Sequence, residues 1–308
     1  MALVSFSGGK DSTATLLLAL ERLPKANVFP AFADTGNEHP AVYEYLLYIE
    51  KKLGIRIKRL HADFTDRWWA RRDYVRDHWS AKGVHDDIIR RVLQLLEKGP
   101  TGNPFLDLCV IKGRFPSRMA QFCTQELKKF PLIDYTMWLV ERHRNIESWQ
   151  GVRADESAVR AKLVEREING EPFTIYRPIL KWTAAEVFAF HRKHGVEPNP
   201  LYKMGMNRVG CMPCINVSKG ELLTISRRFP EHIARIAEWE RILGEASKRG
   251  ASSFFTEREG EPTGGIGVKV DWAKTLHGGQ QYDLLASGEE LSGCASSYGL
   301  CDLPEDSE

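Results

Sequence analysis

An α/β fold on a doubly wound, mostly parallel sheet, with a helical insertion and a Cys-containing C-terminal appendage, is the class this sequence predicts from three observations. Strand-like and helix-like runs alternate over the first sixty residues, the pattern of a parallel sheet with helices on both faces. The hexapeptide Ser7-Gly8-Gly9-Lys10-Asp11-Ser12 joins an apolar run directly to a helical one. A second polar turn, Asp34-Thr35-Gly36, closes the next strand. Ligands of open parallel sheets lie beyond the carboxyl ends of the strands, where the chain order reverses, so both turns are expected at one crevice.

In chain order the reading gives a strand at Ala2 to Phe6, a helix at Thr13 to Leu23, a strand at Asn27 to Ala33, a helix at Ala41 to Leu53 and a strand at Ile55 to His61. From Asp63 to about Lys112 the pattern changes to a segment rich in Arg and Trp, with Arg67-Trp68-Trp69-Ala70-Arg71-Arg72 and Arg76-Asp77-His78-Trp79. It reads as an insertion over the site. An amphipathic lid packing its Trp residues on the body explains these letters, and so does direct base stacking and phosphate contact with nucleic acid. Helices resume at Ser117 to Lys129 and Leu132 to His143, followed by strands at Ile146 to Gly151 and Phe173 to Tyr176 and a helix at Ala184 to His194. Two helical stretches between Gly220 and Arg249 precede a tail rich in Gly and Ser.

Apolar residues make up 43% of the 308 positions and charged residues 27%, the balance of a globular protein with a good core. A net charge of +2 carries no global nucleic-acid signature, so any such partner must use a local patch. No secretory segment opens the chain and no apolar run reaches membrane-spanning length, so a cytoplasmic protein without a membrane partner is expected. Six cysteines are too few for a disulfide scaffold at this length, and their clustering suggests metal or redox chemistry.

The first turn carries the chemistry of a phosphate grip. A Gly-rich turn into a helix N-terminus presents unpaired N–H groups to an anion, and Gly8 and Gly9 let the backbone approach closely. Ser7 and Ser12 add hydroxyl donors and Lys10 a positive charge. Asp11 is out of place beside phosphate unless it orients neighbours or helps to hold Mg²⁺. The spacing is neither a Walker A loop nor a dinucleotide GxGxxG. A plain Gly-Gly turn would explain the tripeptide but not its setting between strand and helix.

SGGxDS resembles the pyrophosphate loop of the N-type ATP pyrophosphatases and of their relatives, the phosphoadenosine phosphosulfate (PAPS) reductase family. Asp34 to Pro40 resembles the family's second nucleotide motif, and Gly151-Val152-Arg153-Ala154-Asp155-Glu156-Ser157 with Arg160 resembles its GxRxxES segment. Tyr176 to Trp182, Asn199-Pro200-Leu201-Tyr202 and Gly205 resemble its later substrate-side motifs. The matches are ordered and reach from residue 3 to about 215. The resemblance implies an adenine nucleotide alpha hydrolase-like fold, with phosphates on Ser7 to Ser12 and adenine against the backbone near Phe32 to Thr35. Asp34, Thr35 and Gly36 then help to bind the nucleotide. It also implies Arg153, and Lys181 with it, at the phosphates or the leaving anion, where the planar Arg fork suits bidentate contact; an Arg153 paired with Asp155 or Glu156 on the surface is the plainer alternative. His39, within the second motif, is expected to reach phosphate.

Cys211-Met212-Pro213-Cys214 is a CxxC, a spacing that suits one metal centre or a redox disulfide. The run from Arg118 through Cys123 to Leu132 resembles the segment of assimilatory adenylylsulfate reductases in which a Cys-Cys pair and a CxxC ligate a 4Fe-4S cluster. Here Thr124 stands where the second thiol of the pair would be. The resemblance implies ligation by Cys123, Cys211, Cys214 and a tail thiol, Cys301 or in its place Cys294. Zinc in four thiolates is the alternative, since spacing does not choose between the two. Cys109 reads as a packed thiol. Cys301 also resembles the C-terminal nucleophile of the reductases. His191 and His194 share a helix without an obvious carboxylate partner and receive no role.

The resulting expectation is a nucleotide-binding unit over 1–215, with its insertion at about 63–112, and a helical appendage with the Cys-bearing tail over 216–308. The complete SGGxDS form favours ATP over PAPS or adenylylsulfate (APS). The implied reaction is Mg²⁺-assisted acceptor adenylation with release of pyrophosphate, coupled to sulfur transfer, with Lys10, Asp11, Arg153 and Lys181 as catalytic groups. Partners would be a sulfur donor or a thioredoxin-like protein and a tRNA or DNA acceptor. A sulfonucleotide reductase is the close alternative, and a nucleotide-responsive nucleic-acid-binding module the alternative of another class.

Overall fold

A computed structural model describes residues 1–143, 145–168, 170, 172–255 and 264–275. Six strands form one sheet in the order β3-β2-β1-β4-β6-β5. The parallel members are β1 (Ala2–Ser5), β2 (Val28–Asp34), β3 (Lys58–His61), β4 (Glu147–Gln150) and β6 (Thr174–Tyr176). The short β5 (Arg166–Glu167) runs antiparallel to β6. The chain builds outward from β1 to β3 and then crosses back to lay β4 on the other side of β1. That reversal opens a crevice at the carboxyl ends of β1 and β4.

Alternation along β1 decides which helices cover which face. Ala2 and Val4 join the larger core, with Leu16 and Leu17 of α1 (Lys10–Arg22) and Val42, Leu46 and Ile49 of α2 (Pro40–Leu53). Leu3 points the other way and packs with Ala31, Ile146 and Leu139. Helices on both faces therefore bury the sheet, as the alternation of the first sixty residues predicts.

The Arg/Trp segment forms α3 (Thr65–His78), α4 (Asp86–Leu96) and α5 (Pro104–Lys112). Trp68 and Trp79 are each 1% exposed, and Trp68 Nε1 donates to the Leu96 carbonyl at 2.8 Å. Arg71 lies 5.0 Å from the Trp79 ring and Arg72 4.8 Å from the Trp69 ring. Trp68 and Trp79 thus serve the core and offer no face to a base.

Two helices, 117–129 and 132–143, were expected where the structure has one continuous helical run. It starts at α6 (Phe122–Thr124), passes through a π-helical stretch at Gln125–Lys129 and continues as α7 (Phe130–Arg142). The change of hydrogen-bond register puts Pro131, which lacks an N–H, in the first turn of α7, where it breaks nothing. Helix α8 (Ala184–Lys193) opens on a Thr183/Glu186 capping box and packs on α1. Helices α9 (Lys219–Arg228), α10 (Pro230–Ala246) and α11 (Ile266–Ala273) follow. Trp239 of α10 stacks on Phe105 of α5 at 5.4 Å, so the C-terminal helices share the core of the inserted ones.

Candidate functional site

The crevice has a volume of about 610 Å³ and is floored by the Ser7–Ser12 loop. Gly8 takes φ +75°, and a Cβ there would press on Val42 at 3.2 Å, so both the turn and its packing require glycine. The loop is braced from within, with the Ser7 N–H donating to Ser12 Oγ at 3.1 Å and Ser12 Oγ to the Gly9 carbonyl at 3.0 Å. It is also braced from outside. His191 Nε2 donates to the Lys10 carbonyl at 2.8 Å, Asn199 Nδ2 to the Gly8 carbonyl at 3.3 Å, and the Lys10 N–H to the Tyr202 hydroxyl at 2.9 Å. Burial pushes the His191 ring below its usual pKa and keeps it neutral.

Lys10 Nζ lies 3.0 Å from Asp11, and Asp11 accepts from Arg153 Nε at 2.6 Å. Arg153 also donates to Asp155 at 2.5 Å. Its guanidinium is 3% exposed on the side chain and holds the loop from behind; it does not line the crevice. Lys181 is exposed and is not brought to the crevice either. The cations that do line it with Lys10 are Lys128, Arg160 and Arg208.

Phe32 and Ala33 line the crevice, whereas Asp34, Thr35 and Gly36 shape the next turn. Asp34 accepts from the Tyr43 hydroxyl at 2.8 Å and from the Gly36 N–H at 2.9 Å. Thr35 donates from Oγ1 at 2.7 Å and from its backbone at 3.1 Å to Glu38, turning that carboxylate into the crevice. Burial raises the Glu38 pKa against the pull of Lys128 and Thr35. His39 does not line the crevice. Its Nδ1 caps α2 through the Ala41 N–H, and its ring stacks on His232 at 4.9 Å. The ligand atoms of His39, Glu231 and His232 lie within 4.8 Å of one another. The capping bond leaves the proton of neutral His39 on Nε2, however, so that nitrogen has no lone pair for a metal.

The CxxC loop lies against this turn. Cys211 forms a backbone bridge with Glu38, its Sγ is 3.4 Å from Thr35 Oγ1 and 3.8 Å from Glu38 Oε1, and the Met212 N–H donates to the Asn37 carbonyl at 2.8 Å. Burial pushes the Cys211 thiol up to about 11, against Lys128, and burial likewise raises Cys123. Lys128 is itself raised, chiefly by the charge of Cys211. Burial opposes the charge of Arg208, but Cys214 and Cys211 outweigh it and raise its pKa. Cys109 is fully buried on α5 and its thiol is pushed well up by burial. Cys294 and Cys301 lie outside the described residues.

A model of the phosphoadenosine phosphosulfate reductase domain matches residues 1–217. The chain belongs to the PAPS reductase family. A relative 45% identical over 97% of this PAPS reductase-family chain and 96% of its own length is an uncharacterized 37.8 kDa protein of the gpa 5' region of Escherichia phage 186. The adenosine 5'-phosphosulfate reductase of Allochromatium vinosum is 28% identical over 73% of this chain and 72% of its own. A solved PAPS reductase from Candida auris, in a phosphate complex, aligns at TM-score 0.42 and 15% identity over 68% of this chain and 80% of that one.

The sequence reading named Glu38 and Tyr202 only as members of motifs, gave Lys128 and Arg208 no place in the crevice, and assigned His191 no role. The basic pair Lys128-Lys129 and the NPLY run were visible as letters. Their direction was not, because it depends on the π-helical register and on packing across more than a hundred positions.

Proposed function

We propose that this protein is an ATP-dependent, pyrophosphate-releasing enzyme that adenylates an acceptor oxygen and couples this to sulfur transfer. The observation that carries the reading is one crevice holding the complete Ser7–Ser12 loop, four cations and, at its edge, the CxxC loop. The acceptor oxygen attacks the α-phosphorus, the bond to the bridging oxygen breaks, and pyrophosphate leaves with the electron pair while the acceptor proton passes to water. Lys10, Arg160 and Arg208 would balance charge on the phosphate oxygens. Asp11 would stay oriented by Arg153, where it can help to hold Mg²⁺. Lys181, exposed and outside the crevice lining, is a candidate only for contact with a large acceptor, of which tRNA or DNA is the class proposed.

The donor set, thiols with Lys128 and Arg208 beside them, suits an iron–sulfur centre, with zinc in thiolates as the alternative. Lys128 and Arg208 would offset the negative charge of a thiolate-held cluster. Cys123, Cys211 and Cys214 would hold it, with Cys301 proposed as the fourth ligand. Such a cluster supplies labile sulfide or electrons.

A sulfonucleotide reductase is the second reading, favoured by the Allochromatium relative. The test is anaerobic purification with iron, sulfide and zinc analysis, followed by incubation with ATP and, separately, with PAPS and APS. Iron and sulfide with pyrophosphate released from ATP supports the first reading. Sulfite released from PAPS or APS with thioredoxin, and no pyrophosphate from ATP, replaces it with the second.

A further inference from the structure

We infer that Arg235, on the C-terminal helix α10, is a positioning residue that welds the Cys211–Cys214 loop to the Thr35–Glu38 turn, so that crevice and thiols answer to one another. The weld is built on Asn37, which is fully buried. Its carbonyl accepts from the Met212 N–H, its Nδ2 donates to the Pro213 carbonyl at 3.1 Å, and its backbone N–H donates to Glu38 Oε2 at 3.2 Å. Arg235 closes the arrangement from outside. One nitrogen, Nη2, donates both to Asn37 Oδ1 at 2.8 Å and to the Met212 carbonyl at 2.9 Å.

The guanidinium is itself held in place, 5.1 Å from the Trp239 ring, which is packed on Phe105. Burial lowers its pKa, and its Nε has no partner, so it occupies this place at a cost in solvation. A charged donor shared by two loops ties their positions together, because neither can leave without stranding a buried polar group. Glu38 is the point of contact with the crevice, being bridged to Cys211 on one side and lining the nucleotide pocket on the other. A ligand that fixes Glu38 must then slow opening of the Cys loop, and the linkage is reciprocal.

The inference rests on the nucleotide reading only for its second arm. The test is the alkylation rate of Cys211 and Cys214 by iodoacetamide in the metal-free full-length protein, read by peptide mass spectrometry. Arg235→Met keeps the apolar stem on Trp239 and removes the fork. Without nucleotide, alkylation of Cys211 is expected to rise about tenfold, the effect of one lost charged hydrogen bond on local opening. Unchanged alkylation overturns the inference whether or not ATP binds. In the second arm ATP slows alkylation in the parent protein and has no effect in Arg235→Met. Equal protection in both proteins also overturns it. Absence of ATP binding by calorimetry counts against the nucleotide reading alone and leaves the first arm to decide. A far-UV spectrum and melting curve like the parent's show that faster alkylation reflects the loop and not the fold, and Arg235→Lys, with the charge but no fork, is expected to fall between.

Discussion

Asp11 and Arg153, 142 positions apart, share a hydrogen-bonded ion pair of 2.6 Å at the back of the phosphate loop. Asp11 also meets Lys10 at 3.0 Å, so this carboxylate sits between two cations and hands orientation from one to the other. An acidic residue in a phosphate grip is thereby explained as a strut. The pair is part-buried and Asp11 keeps Lys10 when Arg153 is removed, so the loss costs on the order of 1 to 3 kcal/mol. Arg153→Met is therefore expected to lower the urea midpoint of unfolding and to weaken ATP binding. Asp11→Asn with Arg153→Met should recover part of the stability and none of the binding. A double variant no more stable than Arg153→Met would show that the pair is not a strut.

Gly151 makes the same point through backbone contact. A Cβ there would lie 2.7 Å from the Asp11 carbonyl carbon and oxygen and 2.8 Å from the Ser12 nitrogen. These are main-chain atoms of the loop itself, so the loop must move. Gly151→Ala is expected to weaken ATP binding at least tenfold, about 1.4 kcal/mol, while overpacking costs about 1 to 3 kcal/mol of stability. Calorimetry and denaturant unfolding on one preparation test both. Binding within a factor of two of the parent would mean that the loop yields without consequence.

What the sequence made legible was local. The strand, Gly-rich turn and helix of residues 2–22 are specified by neighbours, and so is the turn at Asp34 to Gly36. The direction of side chains that meet from far apart was not legible. Arg153 was expected in the crevice and does not line it, because the sequence could not reveal that it pairs with Asp11 across 142 positions. Lys128 lines the crevice from within a π-helical stretch, and no pattern in the letters announces that register. The burial of Trp68 and Trp79 is what the lid reading of the Arg/Trp run expects; the run left nucleic-acid contact open beside it because Arg and Trp in alternation suit both.

Metal loading should depend on pH in a direction fixed by the thiols. Burial holds Cys211 up at about 11, and Cys123 is raised too, so both are protonated in the metal-free protein at neutral pH. Ligation requires thiolates, so each thiol that ionises on binding adds up to about tenfold affinity per pH unit. Anaerobic titration with a thiophilic metal such as Co²⁺ is expected to show affinity rising steeply from pH 6 to pH 8 with release of protons. Cys123→Ser and Cys211→Ser should each reduce that slope. A flat profile would mean that these thiols are not the ligands.

His232 predicts a pH dependence of stability apart from the crevice. It is 3% exposed, and burial first, then the charges of Arg235 and His39, lower its pKa to about 4, opposed by Glu231 and the Met212 carbonyl. The unfolded chain takes up its proton near the ordinary value of about 6.5. Between these values the unfolded state binds the extra proton, so stability is fully present above about pH 6.5 and falls as the pH drops towards 4. His39, also lowered by burial, adds in the same direction. The loss should reach on the order of 2 kcal/mol by pH 4.5. His232→Asn, which cannot charge, should be less stable at pH 7.5 for lost packing yet show a flatter decline between pH 6.5 and 4.5. Urea unfolding across that range measures it, and parallel curves for variant and parent would assign the acid sensitivity to other groups.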